Sequence, residues 1–511
     1  MTILQTRRRF LASAASAAAL GGLSTLLPAA VRPAWAAAPL RLAVERRVLE
    51  VMGKPASVFG IRQPDGTSGL FLDPGQRFLV DLANRAGEDA VIHWHGMTPP
   101  YAQDGVADVN RPLIRDGASQ GYDFEPRPGT HWMHSHHGLQ EQRLMAAPLI
   151  VRTAEDRRED AQEVTVLLHD FTFKDPAEVL AGLTGGTMDH GGMDHGGGHG
   201  GGHGGGHGSG HGGSMPMMNH SMDMKGMGDM QGMGGMTMAA MDLNDVEYDA
   251  YLANDRTLDD PEVVRVERGG QVRLRLINGA TSTAFHIDLG VLDGTVVAAD
   301  GNPVQPVSGR RFGMVMGQRL DILVRLPTEG GAFPVLAQRE GERQRTGIIL
   351  ATPGATVNKA AGLADGAAGP VDLSLERRLT ALDSLAPRPT DAAFTIRLTG
   401  GMAPYVWTID DRPFGEHRPL TVRKGQRVTV TMVNESPMAH PMHLHGQHFQ
   451  VVALNGTALA GAVRDTVLVP MSGSATIAFD ADNPGRWPLH CHNLLHMATG
   501  MMTELVCEQT I

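Results

Sequence analysis

His490-Cys491-His492-Asn493-Leu494-Leu495-His496, followed by Met501, is the stretch whose reading decides the fold. Cysteine occurs twice in 511 residues, and one of the two stands here between histidines. On a β-strand successive side chains point to opposite faces, so His490 and His492 share one face and Cys491 takes the other. One short segment can then serve two metal sites back to back. A thiolate, two imidazoles and a weak thioether are the ligands of a blue-copper electron-transfer centre, and a loop could return His496 and Met501 to Cys491.

Three more clusters carry His-x-His spacing: His93-Trp94-His95, His134-Ser135-His136 and His443-Leu444-His445. With His490 and His492 they supply eight imidazoles, each pair pointing one way from its strand. His440 is left over and can complete the Cys491 site. These four motifs, in this order, resemble the multicopper oxidases, the family of laccases, ceruloplasmin and bacterial copper-efflux oxidases. The resemblance covers nearly the whole chain after its leader. It implies a type 1 copper on His440, Cys491 and His496 with Met501 as axial ligand, and a type 2 copper on His93 and His443. It also implies a type 3 pair on His95, His134, His136, His445, His490 and His492. Electrons from a substrate would pass from the type 1 site through Cys491 to the other three ions, where dioxygen is reduced to water. Asp104, in Gln103-Asp104-Gly105, matches the family's acidic residue near the type 2 copper and is expected to handle protons. His137 faces away from His136, and His131, His169, His417 and His448 lack paired spacing, so all five are expected outside the cluster.

An internal repeat sets the domain count. Gly75-Gln76, Gly270-Gln271 and Gly425-Gln426 each precede an alternating apolar strand that runs to Asn84, Asn278 or Asn434. Strand-rich units of this size, punctuated by Gly and Pro, suggest Greek-key sandwiches, which in the family are cupredoxin domains. The expected fold is all-β: domains at 37–155, 160–353 and 393–511, with a connector at 354–392. The first and third repeats lead to paired histidines and the second to a lone His286, so the shared copper cluster is expected between the first and last domains.

Thr6-Arg7-Arg8-Arg9-Phe10-Leu11 and the Ala-rich run behind it, ending at Ala34-Trp35-Ala36, read as a signal peptide over 1–36. The paired arginines resemble the twin-arginine export signal, which predicts a periplasmic protein and the twin-arginine machinery as a partner. The whole chain carries a net charge of −11, and this leader holds four arginines and no acids. A chain so acidic excludes the basic surface that nucleic-acid binding needs. The family suggests a monomer.

Residues 184–241 are mostly Gly, Met and His, with seven histidines from His190 to His220 and thirteen of the chain's 28 methionines. Such a stretch buries too little apolar surface to offset ordering and is expected to be disordered. Thioethers are soft donors that select Cu(I), so the insertion is expected to gather additional labile copper. The favoured reading is a cuprous oxidase in copper tolerance that also oxidises phenols, with Cu(I), phenols and dioxygen as small-molecule partners. The alternatives are a general laccase acting on phenols, Fe(II) or Mn(II), and a copper-sequestering protein without activity. Copper-efflux oxidases hold substrate copper just before the first type 1 histidine; here Met438 fits, Ser436 replaces an aspartate, and Glu435 stands beside it.

Overall fold

The computed structural model describes residues 38–107, 109–185 and 243–509. The expected leader at 1–36 lies outside the described residues, as does all but the first two residues of the Met/His-rich insertion. The described residues from Pro39 onward form one compact unit. It is built from three Greek-key sandwiches, each a pair of sheets around its own core, as the strand periodicity led one to expect. Among the described residues no helix is long and apolar enough to cross a membrane.

The repeat corresponds to one strand in each sandwich: Phe78–Arg85, Gln271–Asn278 and Arg427–Asn434. Each pairs in parallel with the strand that opens its own sandwich: Leu40–Val51, Ala161–Phe171 or Ala392–Met402. In the first of them exposure alternates residue by residue, because one face meets the core and the other does not.

The asparagine that closes each repeat has a common job. Asn84, Asn278 and Asn434 are all buried. Each Oδ1 accepts from the backbone N–H two residues on, at Ala86, Ala280 or Ser436. Each Nδ2 donates to backbone carbonyls across the turn: Glu88 and Ile114, Thr283 and Met314, or Met438, Val469 and Pro470. A buried carbonyl without a donor is costly. The asparagine therefore fixes the turn from which the chain enters the strand carrying His93, His286 or His440.

The sandwiches meet across buried ion pairs. Arg464 in the third donates to Asp300 in the second, 2.9 Å away, and to Glu376 at 2.5 Å. Arg275 in the second donates to Thr130 in the first and to Asp321. The stretch 354–392, expected as a connector, is held along much of its length. Ala364 N–H donates to the Arg343 carbonyl, Ala381 bridges to Val304, and Glu376 is buried against Arg464.

Replacing Arg464 by Met leaves the buried Glu376 without its cation and Asp300 with only the more distant Arg319, 3.6 Å away. Breaking one side of a buried pair costs about 3–5 kcal/mol, so R464M is expected to lower the guanidinium unfolding midpoint well below that of the wild type.

Candidate metal centre

Strand pairing brings the histidines together within each sandwich. In the first, Ile92–His93 runs antiparallel to Gly129–Ser135 with His93 opposite His134. In the third, His440–Leu444 runs antiparallel to Gly485–Cys491 with His443 opposite His490. In all four His-x-His pairs the strand ends before the second histidine. The expectation of continuous strands therefore holds only for the first member of each pair. The amides of the later members still bond in register with the partner strand, His445 N–H to the Pro488 carbonyl and His492 N–H to Pro441, but a proline has no N–H to return the bond. The paired rings remain neighbours even so, with His490 and His492 5.7 Å apart between centroids.

The two sets then interleave. His93 lies against His445 and His95 against His443, both at 3.8 Å between centroids. His136 meets His490 at 5.2 Å and His134 meets His492 at the same distance. All eight rings are buried. Donor atoms of His136, His445 and His490 lie within 4.8 Å of one another, as do those of His93, His95 and His134, and those of His93, His443 and His445.

Outer hydrogen bonds decide which nitrogen faces inward in five of the rings. Carbonyl oxygens only accept, so a ring nitrogen bonded to one must carry its proton. His93 Nδ1 donates to the Asp104 carbonyl, His134 Nδ1 to Ser135, His443 Nδ1 to Asp465 and His490 Nδ1 to Cys491. His445 Nδ1 donates to Asp104 Oδ2 at 2.9 Å. Each Nε2 is thereby left as a lone pair aimed inward. Those of His93, His134 and His443 have no partner, and those of His445 and His490 face each other at 3.0 Å. Two lone pairs at that distance repel unless a cation lies between them. This is the pattern of metal ligands oriented by their outer partners.

The second cluster lies on the far side of the same strand. Cys491 Sγ is 3.6 Å from Nδ1 of both His440 and His496, and these nitrogens are 3.1 Å apart. A point about 2 Å from all three atoms exists, which is the bond length such donors make to a first-row metal ion. Ser436 Oγ lies 2.6 Å from His440 Nε2, and Asp245 takes His496 Nε2–H at 3.3 Å. Met501 is buried in the same core, and its backbone brackets the site: its carbonyl accepts from Cys491 N–H and its N–H donates to the His496 carbonyl. A soft thiolate with two imidazoles is a donor set that suits copper.

The electrostatics favour an entering cation. Burial, then the neighbouring imidazoles, holds His136, His440 and His445 well below the usual protonation range. Burial also raises the Cys491 thiol, so a metal must displace its proton. Asp465 stays ionised although burial opposes it, because the Arg319 guanidinium outweighs that cost.

Several of these partners escaped the sequence. Asp465 accepts from His95 Nε2 at 3.1 Å, Glu141 lies 2.8 Å from His134 Nδ1, and Asp245 joins His496 to Asn493 and Tyr405. None belongs to a motif. Asp245 falls at the edge of the low-complexity stretch, and only Glu141, five residues past His136, stood close enough to a ligand to be suspected. The five histidines set aside earlier stay outside: His137 is half-exposed, and His131, His169, His417 and His448 each turn a ring nitrogen to a carbonyl or to Glu504. His286 does the same with the Gly369 carbonyl.

Beside His440 opens a cleft of about 270 Å³, lined by Met316, Met438, Met471, Glu340 and Asn493 among others. Met438 is therefore where a substrate ion next to the type 1 ligands would need it. Glu435 is not: its exposed carboxylate points outward to Arg397, 3.2 Å away. Its neighbour Ser436 is buried in the bend that follows the strand, its hydroxyl donating to Asn434 Oδ1 and lying 2.6 Å from His440 Nε2.

Comparison with known proteins agrees with this geometry. Three models described as multicopper oxidase match residues 52–156, 219–355 and 387–510. The chain is 30% identical to the multicopper oxidase MmcO of Mycobacterium tuberculosis, across 84% of this chain and 79% of that protein. It is 25% identical to copper resistance protein A of Escherichia coli, across 85% and 87%. Laccase-2 of Botryotinia fuckeliana is 24% identical, across 92% and 82%. Among solved structures the fold matches Fet3p, a multicopper oxidase that functions in iron import, with a TM-score of 0.71 at 16% identity over 91% of this chain and 90% of that one.

Asp465→Asn keeps the shape but removes the charge facing His95 and His443. Loss of such an outer partner typically costs 10–100-fold in metal affinity. The variant is expected to lose copper to a chelator correspondingly sooner while retaining the blue absorption of the Cys491 site, as copper analysis and the visible spectrum would report.

Proposed function

The chain belongs to the multicopper oxidase family and is a copper-dependent oxidase, and from that premise we propose that it oxidises Cu(I) at the expense of dioxygen in copper tolerance, with phenols as secondary reductants. The observation that carries this reading is where the Met/His-rich stretch is rooted. The helix Pro176–Thr184 leads into it, with Leu180 buried in the core of the third sandwich and Leu183 packed against that core. Leu243, just after it, lines the cleft beside His440, and Asp245 reaches His496. A segment holding nearly half of the chain's methionines is thus preceded by residues packed on the third sandwich's core and followed by residues beside the cleft and His496. The names of the copper resistance relatives support the same reading.

Bound copper would supply one-electron redox chemistry and the four-electron reduction of dioxygen to water. In this reading His440, Cys491 and His496, with Met501, hold the type 1 ion, His93 and His443 the type 2 ion, and the remaining six paired histidines the type 3 pair. The chain contributes the conduit between them: His490 and His492 flank Cys491 directly, and the Cys491 carbonyl accepts from His490 Nδ1 at 2.8 Å. Asp104 supplies a proton site. Its Oδ2 holds His445 and Asn110, while its buried Oδ1 has no hydrogen-bond partner and lies 3.3 Å from His93 Nδ1. Domain limits at 37–155, 160–353 and 393–511 suit the sheet pairs. The Arg7-Arg8-Arg9 leader supports twin-arginine export to the periplasm, and we take the working form as a monomer.

Oxygen uptake by copper-loaded protein tests this, with a buffered Cu(I) donor set against a phenol. Cu(I) is expected to be the better reductant, and removal of residues 184–241 is expected to slow Cu(I) oxidation at limiting copper more than phenol oxidation. Equal losses on both donors would leave the insertion no role in copper delivery.

A further inference from the structure

We infer that Gly317 is a positioning residue of the type 3 pair: the middle sandwich uses its bare backbone there as the wall that sets His492 against His95. This rests on the ligand reading above, in which both rings serve the type 3 pair. It gives a part in the chemistry to the sandwich that supplies none of the paired histidines.

Gly317 stands in the turn 315–318, between the strands Arg311–Met314 and Arg319–Arg325. Its φ is +79°, a left-handed conformation that glycine adopts without cost to a side chain. A Cβ built on it would lie 2.8 Å from His492 Cδ2, 3.0 Å from His492 Cγ and 3.1 Å from His95 Cε1. Carbon atoms rest about 3.5–4.0 Å apart. The space in which a side chain would begin is thus already filled by the two rings, one from the third sandwich and one from the first.

The turn is pinned from several sides. Gly317 N–H donates to the Asn278 carbonyl at 2.9 Å, and the Gln318 carbonyl accepts from Asn278 N–H at 3.0 Å. Gln318 Oε1 accepts from Val315 N–H at 3.1 Å, and its Nε2 donates to the Thr466 carbonyl of the third sandwich at 3.3 Å. Arg319 Nη1 donates to the Gly317 carbonyl at 3.0 Å and also to Asp465, the outer partner of His95. One guanidinium therefore holds both the wall and the anchor of His95.

His492 is the ring that needs such a wall. His95 is oriented by Asp465, and five other rings by the outer hydrogen bonds described above. Among the described residues no carbonyl or carboxylate of another residue accepts from the His492 ring. It bonds to its own backbone, and its Nε2 faces His95 Nδ1 at 3.2 Å. Its tilt is set by shape instead, with the turn against one edge and the rings of His134 and Trp132 at 5.2 and 5.4 Å between centroids. A functional side chain has to be held within about 0.5 Å of its working position. Relieving a 2.8 Å contact at His492 Cδ2 would exceed that tolerance.

The test compares copper-loaded full chains of wild type, G317A, Q318M and G290A. Gly290 belongs to the same sandwich at φ +60°, and a Cβ there meets nothing nearer than 4.0 Å. G290A therefore carries the backbone strain of an alanine at positive φ without the collision. Copper per chain, the blue absorption of the Cys491 site, the guanidinium unfolding midpoint and oxygen uptake from ferrocyanide are read on each. G317A is expected to keep the blue absorption while a chelator strips its remaining copper on the order of 10–100-fold sooner. Its oxygen uptake should fall by about 10²-fold. Q318M, which loosens the turn without adding an atom beside the rings, should show the same pattern more weakly. G290A should share only the lowered midpoint. G317A that behaves as G290A overturns the inference. So does a loss of blue absorption in step with the other copper, which would make Gly317 a residue of the fold at large. Should G317A fail to fold, Q318M decides, and copper retention equal to wild type overturns the inference. Wild type that holds copper at Cys491 alone sinks the type 3 ligand assignment, and this inference with it.

Discussion

The ion pair between Arg319 and Asp465 is the interaction on which the metal centre depends. Arg319 belongs to the middle sandwich, which contributes none of the eight paired histidines. Its guanidinium is fully buried and donates to the Thr130 carbonyl of the first sandwich and to both carboxylate oxygens of Asp465 in the third. Asp465 in turn accepts from His95, and its backbone carbonyl accepts from His443. One residue of the middle sandwich therefore ties the other two together at the point where their histidines interleave. A buried carboxylate facing imidazoles would tend to take up a proton, and Arg319 keeps it ionised instead. The space around the pair is correspondingly tight: a Cβ at Gly96, whose φ is +90°, would stand 2.5 Å from the guanidinium.

Cys491 separates two environments with one strand. On one face, His490 and His492 join a cluster that needs ligands from two sandwiches. On the other, the thiol joins His440 and His496, all three from the third. The alternation of side chains along extended backbone makes this possible. It also sets the electrical arrangement, because the two ligand groups are joined by covalent bonds rather than by a gap that breathing of the domains could widen. The outer hydrogen bonds then fix tautomers before any metal arrives, so the donors need little reordering on binding.

The substrate side is organised differently. The cleft beside His440 is assembled from the strap after the insertion, from the connector and from the loop before His440. Such peripheral segments, positioned by a rigid scaffold, are where recognition can change without disturbing the core. The thioethers of Met316, Met438 and Met471 line the same cleft, giving it donors for a soft cation.

The sequence by itself determined the fold class and the ligand types. The Gly-Gln repeats with their terminal asparagines fell on corresponding strands of the three sandwiches, and every His-x-His pair reached a common buried site. This was legible because side-chain alternation and turn chemistry are local: they act over a few residues and leave their period in the chain. What the sequence could not contain was how the pieces face one another. Asp465 lies twenty residues past its nearest ligand histidine, Arg319 sits in a sandwich without paired histidines, and Glu435, expected beside a substrate ion, faces Arg397 instead. Their functions depend on contacts between residues hundreds of positions apart, as between Asp465 and His95. Only the packing of three sandwiches decided them, because a buried charge acquires its meaning from whichever partner the tertiary structure places beside it.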